Sequence, residues 1–511
     1  MAAPRLRALP LPATHPRPAP PDSPTVRLPA VPDRGTGSAS PPPPTTPPRA
    51  GGGGPPPGGR LRRRGADGAT LAAIYVVALL VVPSRLVIAP LPLNITPSLL
   101  FGLALGLWWF CAQQVQGLGA AKGRNAVRTV LFVFILGNIA TYGYATSGYL
   151  SAEETKAVDR SFLTLLGVTL VGVLVCDGVR GLDRIDRLLL AVVNTAAVVA
   201  VVGLLQFFFD VDIAKFFGSI PGLRPVADLD FILRRSIFRR PAGTTGHPIE
   251  FGVVMAVALP LAVHYAVRAM DLASGHVPRR VTHAHDPSRS RRWRWACVVV
   301  IAMAAMVSLS RSAILGLIAA VIVLLPTWEP KRRIRALGII LAFTVVMRLL
   351  VPGLIGTLLS LFKNIENDPS VQGRTQDYHT VGYLFGQHPW LGRGQGTYLP
   401  DKYGPLDNQY LGSLVETGLV GLVTLALTML VAIGAARAAR WASADPVLRD
   451  LAQTLVASVV VLLVSYATFD AFAFSMSTGL SFVVIGACGA LLRYVRETSV
   501  TRRARRRAGA L

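Results

Sequence analysis

The sequence has few charged residues and few cysteines for its length. Only 15% of its 511 residues are Asp, Glu, Lys or Arg, whereas a soluble domain carries about 25%. With 52% hydrophobic residues and a mean hydropathy of +0.48, this composition excludes a soluble enzyme. The four cysteines (Cys111, Cys176, Cys297 and Cys488) all fall inside apolar stretches, a pattern that argues against a disulfide or zinc framework.

Acidic residues are scarcer than basic ones. The chain has 27 Asp and Glu against 52 Lys and Arg, a formal net charge of +25. Such an excess could indicate nucleic acid, but the apolar content makes membrane orientation the better explanation. We therefore expect membrane lipids, and no nucleic acid, among the partners.

Residues 1–68 differ in composition from the rest of the chain. They contain 19 of the 38 prolines and 10 arginines against 3 aspartates. Proline removes hydrogen-bond donors, and little apolar surface is available to offset the entropy of ordering. The segment is predicted to be a disordered cytosolic tail.

From Leu71 onward, apolar segments recur at membrane-spanning length, since about 20 helical residues cross a bilayer core. The sequence predicts an all-α polytopic membrane domain over residues 69–495 with about 12 transmembrane helices. They lie near residues 71–89, 97–115, 127–147, 161–178, 188–208, 248–268, 295–309, 312–327, 336–358, 413–434, 451–468 and 474–492. The seventh and eighth are short and meet at Ser310, so they form either a broken hairpin or one bent unit.

Basic residues alternate along the predicted connections. Every second connection is basic, whereas the long ones at 209–247 and 359–412 are nearly neutral. The positive-inside rule then places both termini, including a basic tail over residues 496–511, in the cytosol. The two long connections are predicted to be external, and long connections commonly carry function.

Three arginine-bearing motifs are predicted to face the outside. Those at residues 239–248 and 374–422 lie in or beside the long external connections, and the one at 308–313 lies between the seventh and eighth apolar segments. A charged side chain at membrane depth by default marks a functional site. Snorkelling of Arg311 and interfacial anchoring by Arg239 and Arg240 are the alternatives. Each guanidinium binds phosphate oxygens through two parallel donors and keeps its charge, and no metal-ligand signature accompanies them. The pattern predicts a metal-independent site for a lipid diphosphate.

The motifs, in this order, resemble the O-antigen ligase/polymerase family of bacterial membrane glycosyltransferases. The specific part is R-T-x-x-Y, H-P-W-L-G-x-G-x-G-T-Y and D-N-Q-Y-L-x-x-L-x-E-T-G-L-x-G-L at residues 374–422. R-P-x-G-T at 240–244 and S-x-S-R-S-A at 308–313 are weaker matches. The resemblance covers residues 70–495 and implies a large external loop before the tenth transmembrane helix.

The resemblance also implies a reaction. A glycan carried on undecaprenyl diphosphate is transferred at the outer face of the cytoplasmic membrane to an acceptor hydroxyl, with neither metal nor cofactor. The acceptor would be a glycan or a lipid-linked glycan, and other polysaccharide-assembly proteins are expected partners.

Site residues follow from the same resemblance. Arg311 and Arg374 match the family's diphosphate-binding arginines, and Arg240 is a third. Asp407 stands where family ligases usually have a histidine that assists the acceptor hydroxyl. A carboxylate can accept that proton, but the departure favours a polymerase or exopolysaccharide-type member. The expected catalytic residues are Asp407, Arg374 and Arg311, and the expected substrate-binding residues are Arg240, Arg311, Arg374, His379, Tyr398, Asn408 and Glu416.

Several interpretations stay open at this stage. His379, His388 and His247 are alternative bases. Glu416 is also a candidate to hold Arg374 or to cap a helix. Aromatic residues near the motifs form either a sugar-stacking platform or an interfacial belt; they are Tyr378, Trp390, Tyr398 and Tyr410. A transporter or flippase of a lipid-linked polysaccharide intermediate is the alternative function, although transporters usually place their charges at the membrane midplane.

Overall fold

The chain is predominantly helical in the computed structural model. The structure describes residues 67–115, 123–211, 214–226, 234–235, 238–273, 287–363 and 369–508. These belong to one unit, Arg64–Leu511, and most of the predicted tail over residues 1–68 lies outside them. The helices are α1 (Gly68–Val81), α2 (Pro97–Gln114), α3 (Ala126–Ser147), α4 (Ala152–Gly178), α5 (Leu182–Phe209), α6 (Ala214–Gly218), α7 (Pro248–Ala273), α8 (Pro287–Val307), α9 (Arg311–Leu324), α10 (Pro330–Leu350), α11 (Leu354–Lys363), α12 (Pro369–Gln387), α13 (Pro400–Tyr403), α14 (Gln409–Glu416), α15 (Gly418–Ala442), α16 (Pro446–Tyr466) and α17 (Ser475–Ala508).

Short polar side chains begin several of these helices. The Asp67 carboxylate accepts the Thr70 N–H at 2.9 Å at the start of α1. Ser151 and Glu154 form a reciprocal capping box at the start of α4. Such side chains satisfy main-chain N–H groups that have no partner within the helix.

Seven of the described helices are long and apolar enough to cross a membrane, and the bent pair α10 and α11, at 110°, would make eight. This confirms an all-α, multi-pass membrane fold. Each of the twelve predicted segments overlaps a helix, but α1 and α9 are shorter than a full span. The count of twelve therefore stays a prediction. The seven are Ala126–Ser147, Ala152–Gly178, Leu182–Phe209, Pro248–Asp271, Gly418–Ala442, Pro446–Tyr466 and Ser475–Ser499.

The structure shows the form of two predicted connections and of the C-terminal segment. The junction at residues 308–310 separates two distinct helices, α8 and α9. The connection at 359–412 is largely helical where it is described, because it contains α12 and α13. At the C-terminus, α17 continues to Ala508, so the predicted basic tail extends the last helix rather than following it.

Two short antiparallel strand pairs organise the connections next to α1 and α7. Strand β1 (Leu86–Ile88) pairs antiparallel with β2 (Leu223–Pro225), with Val87 opposite Arg224. Strand β3 (Arg234–Arg235) pairs antiparallel with β4 (Phe238–Arg239). The first pairing ties the connection between α1 and α2 to the connection between α5 and α7.

Several pairs of oppositely charged side chains lie at one end of the helix bundle. We call the end where α4 ends and α5 begins the basic end, and the end where α5 ends and α7 begins the motif end. At the basic end, Asp177 pairs with Arg128 at 3.2 Å and Asp186 pairs with Arg268 at 2.6 Å. Asp450 lies within hydrogen-bonding distance of both Arg332 and His264 there. All four cysteines are free thiols.

Two apolar clusters hold the bundle together. The larger fills the space among α4, α5, α7, α16 and α17. The smaller joins α10 and α11 to the ends of α5 and α8, and includes Val307, Leu309 and Met347. It therefore adjoins the break between α8 and α9.

Candidate functional site

The loop at residues 240–247 is held in shape by hydrogen bonds to two helices. Gln206 of α5 is buried, and its side-chain oxygen accepts the Gly243 N–H at 2.7 Å while its amide donates to the Gly243 carbonyl at 3.0 Å. The Thr244 hydroxyl donates to the main-chain oxygen of Leu80 in α1. Gly243 has a φ of 61°, a conformation that glycine adopts without steric penalty.

The adjacent arginines at the start of this loop have different partners. Arg239 forms an ion pair with Asp210 at 2.8 Å. Arg240 donates from Nε to the main-chain oxygen of Ser308 at 3.4 Å. Only Arg240 therefore points towards the break between α8 and α9.

That break has an unusual backbone conformation. Leu309 is fully buried and has a φ of 50°, in the left-handed region that non-glycine residues rarely adopt. The Ser310 hydroxyl then accepts the Ala313 N–H and caps α9. Arg311 is the first residue of the helix. A cation at a helix N-terminus is electrostatically unfavourable, so helix stability does not explain its position.

Helix α7 packs directly against this break. A Cβ atom on Gly252 would lie 2.6 Å from the Ser308 hydroxyl oxygen and 2.9 Å from the Ala313 side chain. Only glycine allows so close an approach. The start of α7, the loop that precedes it and the break before α9 thus pack against one another.

The connection between α16 and α17 links this packed region to the third motif. Thr468 donates from its hydroxyl to the Ser312 hydroxyl at 2.8 Å. The N–H of Gln409, the first residue of α14, donates to the Phe469 carbonyl at 3.1 Å. The Gln409 side-chain oxygen accepts the Phe472 N–H at 2.6 Å. One short segment therefore contacts both α9 and α14.

Glu250 of α7 fixes the same connection from the other side. Its carboxylate is fully buried and accepts the N–H groups of Gly246 and Met476, both at 2.8 Å. It also accepts the Ser477 N–H at 3.1 Å. This carboxylate holds the loop before α7 against the first turn of α17.

Three carboxyl groups lie near one another at this end. Burial, together with the charge of Asp470, raises the pKa of Glu416 to about 8. Burial raises the pKa of Asp470 to about 6, and the nearby charge of Asp407 acts in the same direction. Asp407 itself is half-buried. A shift from burial and a like charge is typical of functional carboxyl groups.

Glu416 organises the glycine-rich turn that precedes α13. Its carboxylate accepts the side-chain amide of Gln395 and the Tyr398 N–H at 3.2 Å. Its main-chain oxygen accepts the Gly394 N–H at 2.8 Å. These contacts give Glu416 a structural role within the protein. Helix capping, one alternative for this residue, is also a structural role, but the contacts of Glu416 are with the glycine-rich turn.

Two glycines allow the backbone of this turn to pass close to the backbone between α14 and α15. Gly392 has a φ of 67°, and a Cβ atom there would lie 2.3 Å from the main-chain carbon of Glu416. Gly418 has a φ of 63°, and its Cβ would lie 2.5 Å from the main-chain carbon of Trp390. The Trp390 carbonyl in turn accepts the Val420 N–H at 3.1 Å and caps α15.

Two predicted substrate-binding residues make structural contacts instead. The Asn408 side chain caps α14, since its oxygen accepts the N–H groups of Tyr410 and Leu411 at 2.9 and 3.2 Å. Tyr398 is only 8% exposed and stacks on Tyr403 with ring centroids 5.1 Å apart. Neither side chain presents an open binding surface.

Helix α12 carries Arg374 and His379. Its backbone is described, whereas the Arg374 side chain lies outside the described part of the chain. His379 is exposed. Trp390 and Tyr378 are exposed, at 68% and 60%. Tyr398 is buried, and the Tyr410 hydroxyl donates to the Leu463 carbonyl at 2.7 Å.

The structure thus brings Arg240, Arg311 and Asp407 to the motif end, linked through the connection between α16 and α17. Sequence reasoning missed Asp470, Gln206 and Glu250. Each is a single polar residue in an apolar stretch, and that isolation is the signal that could have found it. Within the described ranges, no three His, Cys, Asp or Glu side chains are arranged to hold a metal ion.

Comparison with protein families and with curated proteins bears on this site. Residues 296–426 match the family model described as O-Antigen ligase, which confirms the predicted resemblance. The match begins in α8 and ends in α15, so it contains Arg311, Arg374 and Asp407, while Arg240 and Asp470 lie outside it. No curated protein matches the chain. Such a domain indicates a glycosyltransferase-like enzyme of glycan ligation or polymerisation in the cell envelope, acting on lipid-linked glycans in the membrane. Residues 296–426 are thus the part of this chain that is similar to the O-antigen ligase family.

Proposed function

We propose that this protein transfers a glycan from an undecaprenyl diphosphate-linked donor to an acceptor hydroxyl. The observation that carries the proposal is the contact between Thr468 and Ser312, at 2.8 Å. It joins two chemically different halves of the motif end: the arginines at the starts of α7 and α9, and the carboxyl groups around α14.

The basic half suits a diphosphate. Arg240 and Arg311 stand beside the N-termini of α7 and α9, where helix dipoles add positive potential. Guanidinium groups bind phosphate oxygens through two parallel hydrogen bonds. Preorganised donors of this kind stabilise negative charge that develops on a leaving diphosphate. Arg374 on α12 is a third candidate for the same role, and together these groups would supply the charge that a metal ion supplies elsewhere.

The carboxyl half suits the acceptor. In the proposed step the acceptor hydroxyl gives its proton to Asp407 as its oxygen forms a bond to the anomeric carbon. The bond between that carbon and the diphosphate oxygen breaks, and the lipid diphosphate leaves with the bonding electron pair. Asp470 is buried near Asp407. In its charged form it makes Asp407 a stronger base.

The proposed site would face the outside of the cytoplasmic membrane, with both termini in the cytosol. Two observations support this orientation. Arginine–aspartate pairs concentrate at the basic end, where the positive-inside rule predicts the cytosol. The connections that build the site are close to neutral.

The proposal is tested with the full-length protein in proteoliposomes, by measuring release of undecaprenyl diphosphate from a glycan-loaded donor. Arg311→Ala and Arg374→Ala should insert normally and lose transfer. Arg184→Ala is the matched control, because Arg184 pairs with Asp67 at the basic end, at 2.7 Å. Full activity in either site variant would remove that arginine from the mechanism.

Product analysis in a deletion strain separates the reaction types. Loss of long polymer with retention of single repeats would identify a polymerase, which the Asp407 position favours. Full-length polymer left on the carrier would identify a ligase. Movement of a lipid-linked glycan across the membrane by the purified protein, without transfer, would instead support a transporter or flippase.

A further inference from the structure

His247 is the residue at the start of α7 that the proposed mechanism leaves without a role. Its carbonyl accepts the Phe251 N–H at 3.0 Å, so it occupies the position just before the helix. Its ring Nδ1 accepts the Ile249 N–H at 3.2 Å. The imidazole therefore caps α7 in the way that Asn or Asp usually does.

This hydrogen bond determines which ring nitrogen carries the proton. Because Nδ1 accepts, the proton of the neutral ring must be on Nε2. The ring packs beside Phe474 with centroids 5.8 Å apart. Among the described residues, Nε2 makes no hydrogen bond to the protein, so its N–H is left to donate to a ligand.

The surroundings keep the ring neutral. Burial, with the charges of Arg240 and Arg85, lowers the pKa of His247 to about 4. Protonation at Nδ1 would also break the cap and add a cation at a helix N-terminus. The charged groups around the ring are Arg85, which donates to the Gly246 carbonyl at 2.9 Å, Arg240, and the Glu250 carboxylate bound to the Gly246 N–H.

We propose that His247 binds the diphosphate of the donor through a neutral Nε2–H, beside Arg240, and is not a proton acceptor. The inference rests on the proposed function, since it assigns one more group to the same diphosphate site. A neutral donor adds a directed hydrogen bond to phosphate oxygen without adding a further positive charge to a site already rich in arginine. This removes His247 from the candidate bases.

Side-chain geometry separates the two roles of the ring. In His247→Asn the amide oxygen would replace Nδ1, so this variant keeps the cap and loses the distal donor. In His247→Gln the amide nitrogen reaches the position of Nε2, so this variant keeps the donor and weakens the cap. His247→Ala loses both.

The test measures binding of undecaprenyl diphosphate without glycan to the full-length protein in phosphatidylcholine nanodiscs, which contain no competing anionic headgroup. We expect His247→Asn and His247→Ala to raise Kd about tenfold, and His247→Gln to stay within about threefold of wild type. Thermal stability should instead be close to wild type in His247→Asn and lower in His247→Gln and His247→Ala. A structural role alone would make Kd follow stability across the three variants, and that result would overturn the proposal.

Varying pH provides a second readout. Because the ring stays neutral, the ratio of Kd between wild type and His247→Gln should be constant from pH 5.5 to 8.5. Binding by wild type that strengthens below pH 6.5, with no such change in His247→Gln, would show an imidazolium and refute a neutral donor. Wild-type protein that fails to bind the lipid diphosphate would refute the proposed function itself, whereas normal wild-type binding with an unaffected His247→Asn refutes only the role of His247.

Discussion

Arg240 donates from Nε to the main-chain oxygen of Ser308 at 3.4 Å, and this contact links the loop before α7 to the break before α9. Its neighbour Arg239 instead pairs with Asp210. These two consecutive arginines therefore have different surroundings.

We predict that Arg240→Ala lowers kcat/KM for transfer from the lipid diphosphate donor by about 10- to 100-fold, because a charge-assisted contact to phosphate is lost. Steady-state release of undecaprenyl diphosphate measures the effect. Arg239→Ala is the matched control and should stay within a factor of about three, since it breaks a partly exposed ion pair. Equal losses in both variants would mean that the pair acts only as an interfacial anchor.

Asp407→Asn should lower kcat by about 10²- to 10⁴-fold, since general-base assistance is lost while the side chain keeps its shape. The measurement is turnover at saturating donor from pH 5 to 9. Unchanged turnover across this range would assign Asp407 a structural role.

Asp470 should control the pH dependence of that turnover. The pKa of Asp470 is raised to about 6, so the group becomes charged as the pH rises through 6, and a charged neighbour makes Asp407 a stronger base. Wild-type turnover should therefore rise through pH 6. In Asp470→Asn this rise should disappear, and turnover at pH 7.5 should be several-fold lower. A variant that keeps the wild-type profile would show that another group titrates there.

The sequence predicted the helical architecture because apolar length alone specifies a span. Its motifs also led to the prediction of Arg240, Arg311 and Asp407 as site residues, and that prediction stands to be tested. It could not show that Asn408 caps α14 or that Tyr398 is buried, because both roles depend on how residues 388–416 fold back on themselves. Asp470 was missed for the same physical reason: its significance comes from Asp407 and Glu416, which are distant in sequence and close only after folding.

Glu416 should make the protein less stable as the pH rises. Burial raises the pKa of this carboxyl to about 8, above the value of about 4.3 for an unfolded chain. Between these values the folded state holds a proton that the unfolded state releases, so the free energy of unfolding falls with increasing pH. In Glu416→Gln this fall should be smaller, and the apparent Tm at pH 8.5 should rise by about 2–5 °C relative to wild type.

The neutral amide can still be accommodated at position 416. Its oxygen can accept the Tyr398 N–H, and a rotated Gln395 amide can accept from its nitrogen. At pH 5.5 the variant and wild type should therefore unfold at similar temperatures. An identical pH dependence in both would mean that the Glu416 carboxyl does not titrate in this range.

Gly392→Ala and Gly418→Ala should each abolish transfer and lower the yield of folded protein. A Cβ at either position would lie within 2.5 Å of main-chain atoms, at a φ above 60°, and neither strain can be relieved by a side-chain rotation. Size-exclusion chromatography and transfer activity measure the result. Gly434→Ala in α15 is the control, because a Cβ there has no atom within 4 Å. Wild-type activity in Gly392→Ala or Gly418→Ala would show that the crossing at this turn is not required.

Stability and activity should separate at the basic end. Asp177 is 1% exposed and lies between Arg128, at 3.2 Å, and Arg493, at 3.8 Å. Arg493 also donates to the carbonyls at the end of α4, including that of Cys176 at 2.6 Å. Removing the carboxylate takes away the buried counter-charge that these two arginines share.

Asp177→Asn should therefore destabilise the protein by about 3–5 kcal/mol, measured as loss of folded protein on heating. Transfer per folded molecule should be unchanged, because the substitution lies at the end of the bundle opposite the candidate site. Glu497→Ala is the matched control: Glu497 contacts the same Arg493 at 3.8 Å but is 66% exposed, so its loss should change stability by no more than about 1 kcal/mol. A selective fall in transfer by folded Asp177→Asn protein would instead show that the two ends of the bundle are energetically coupled.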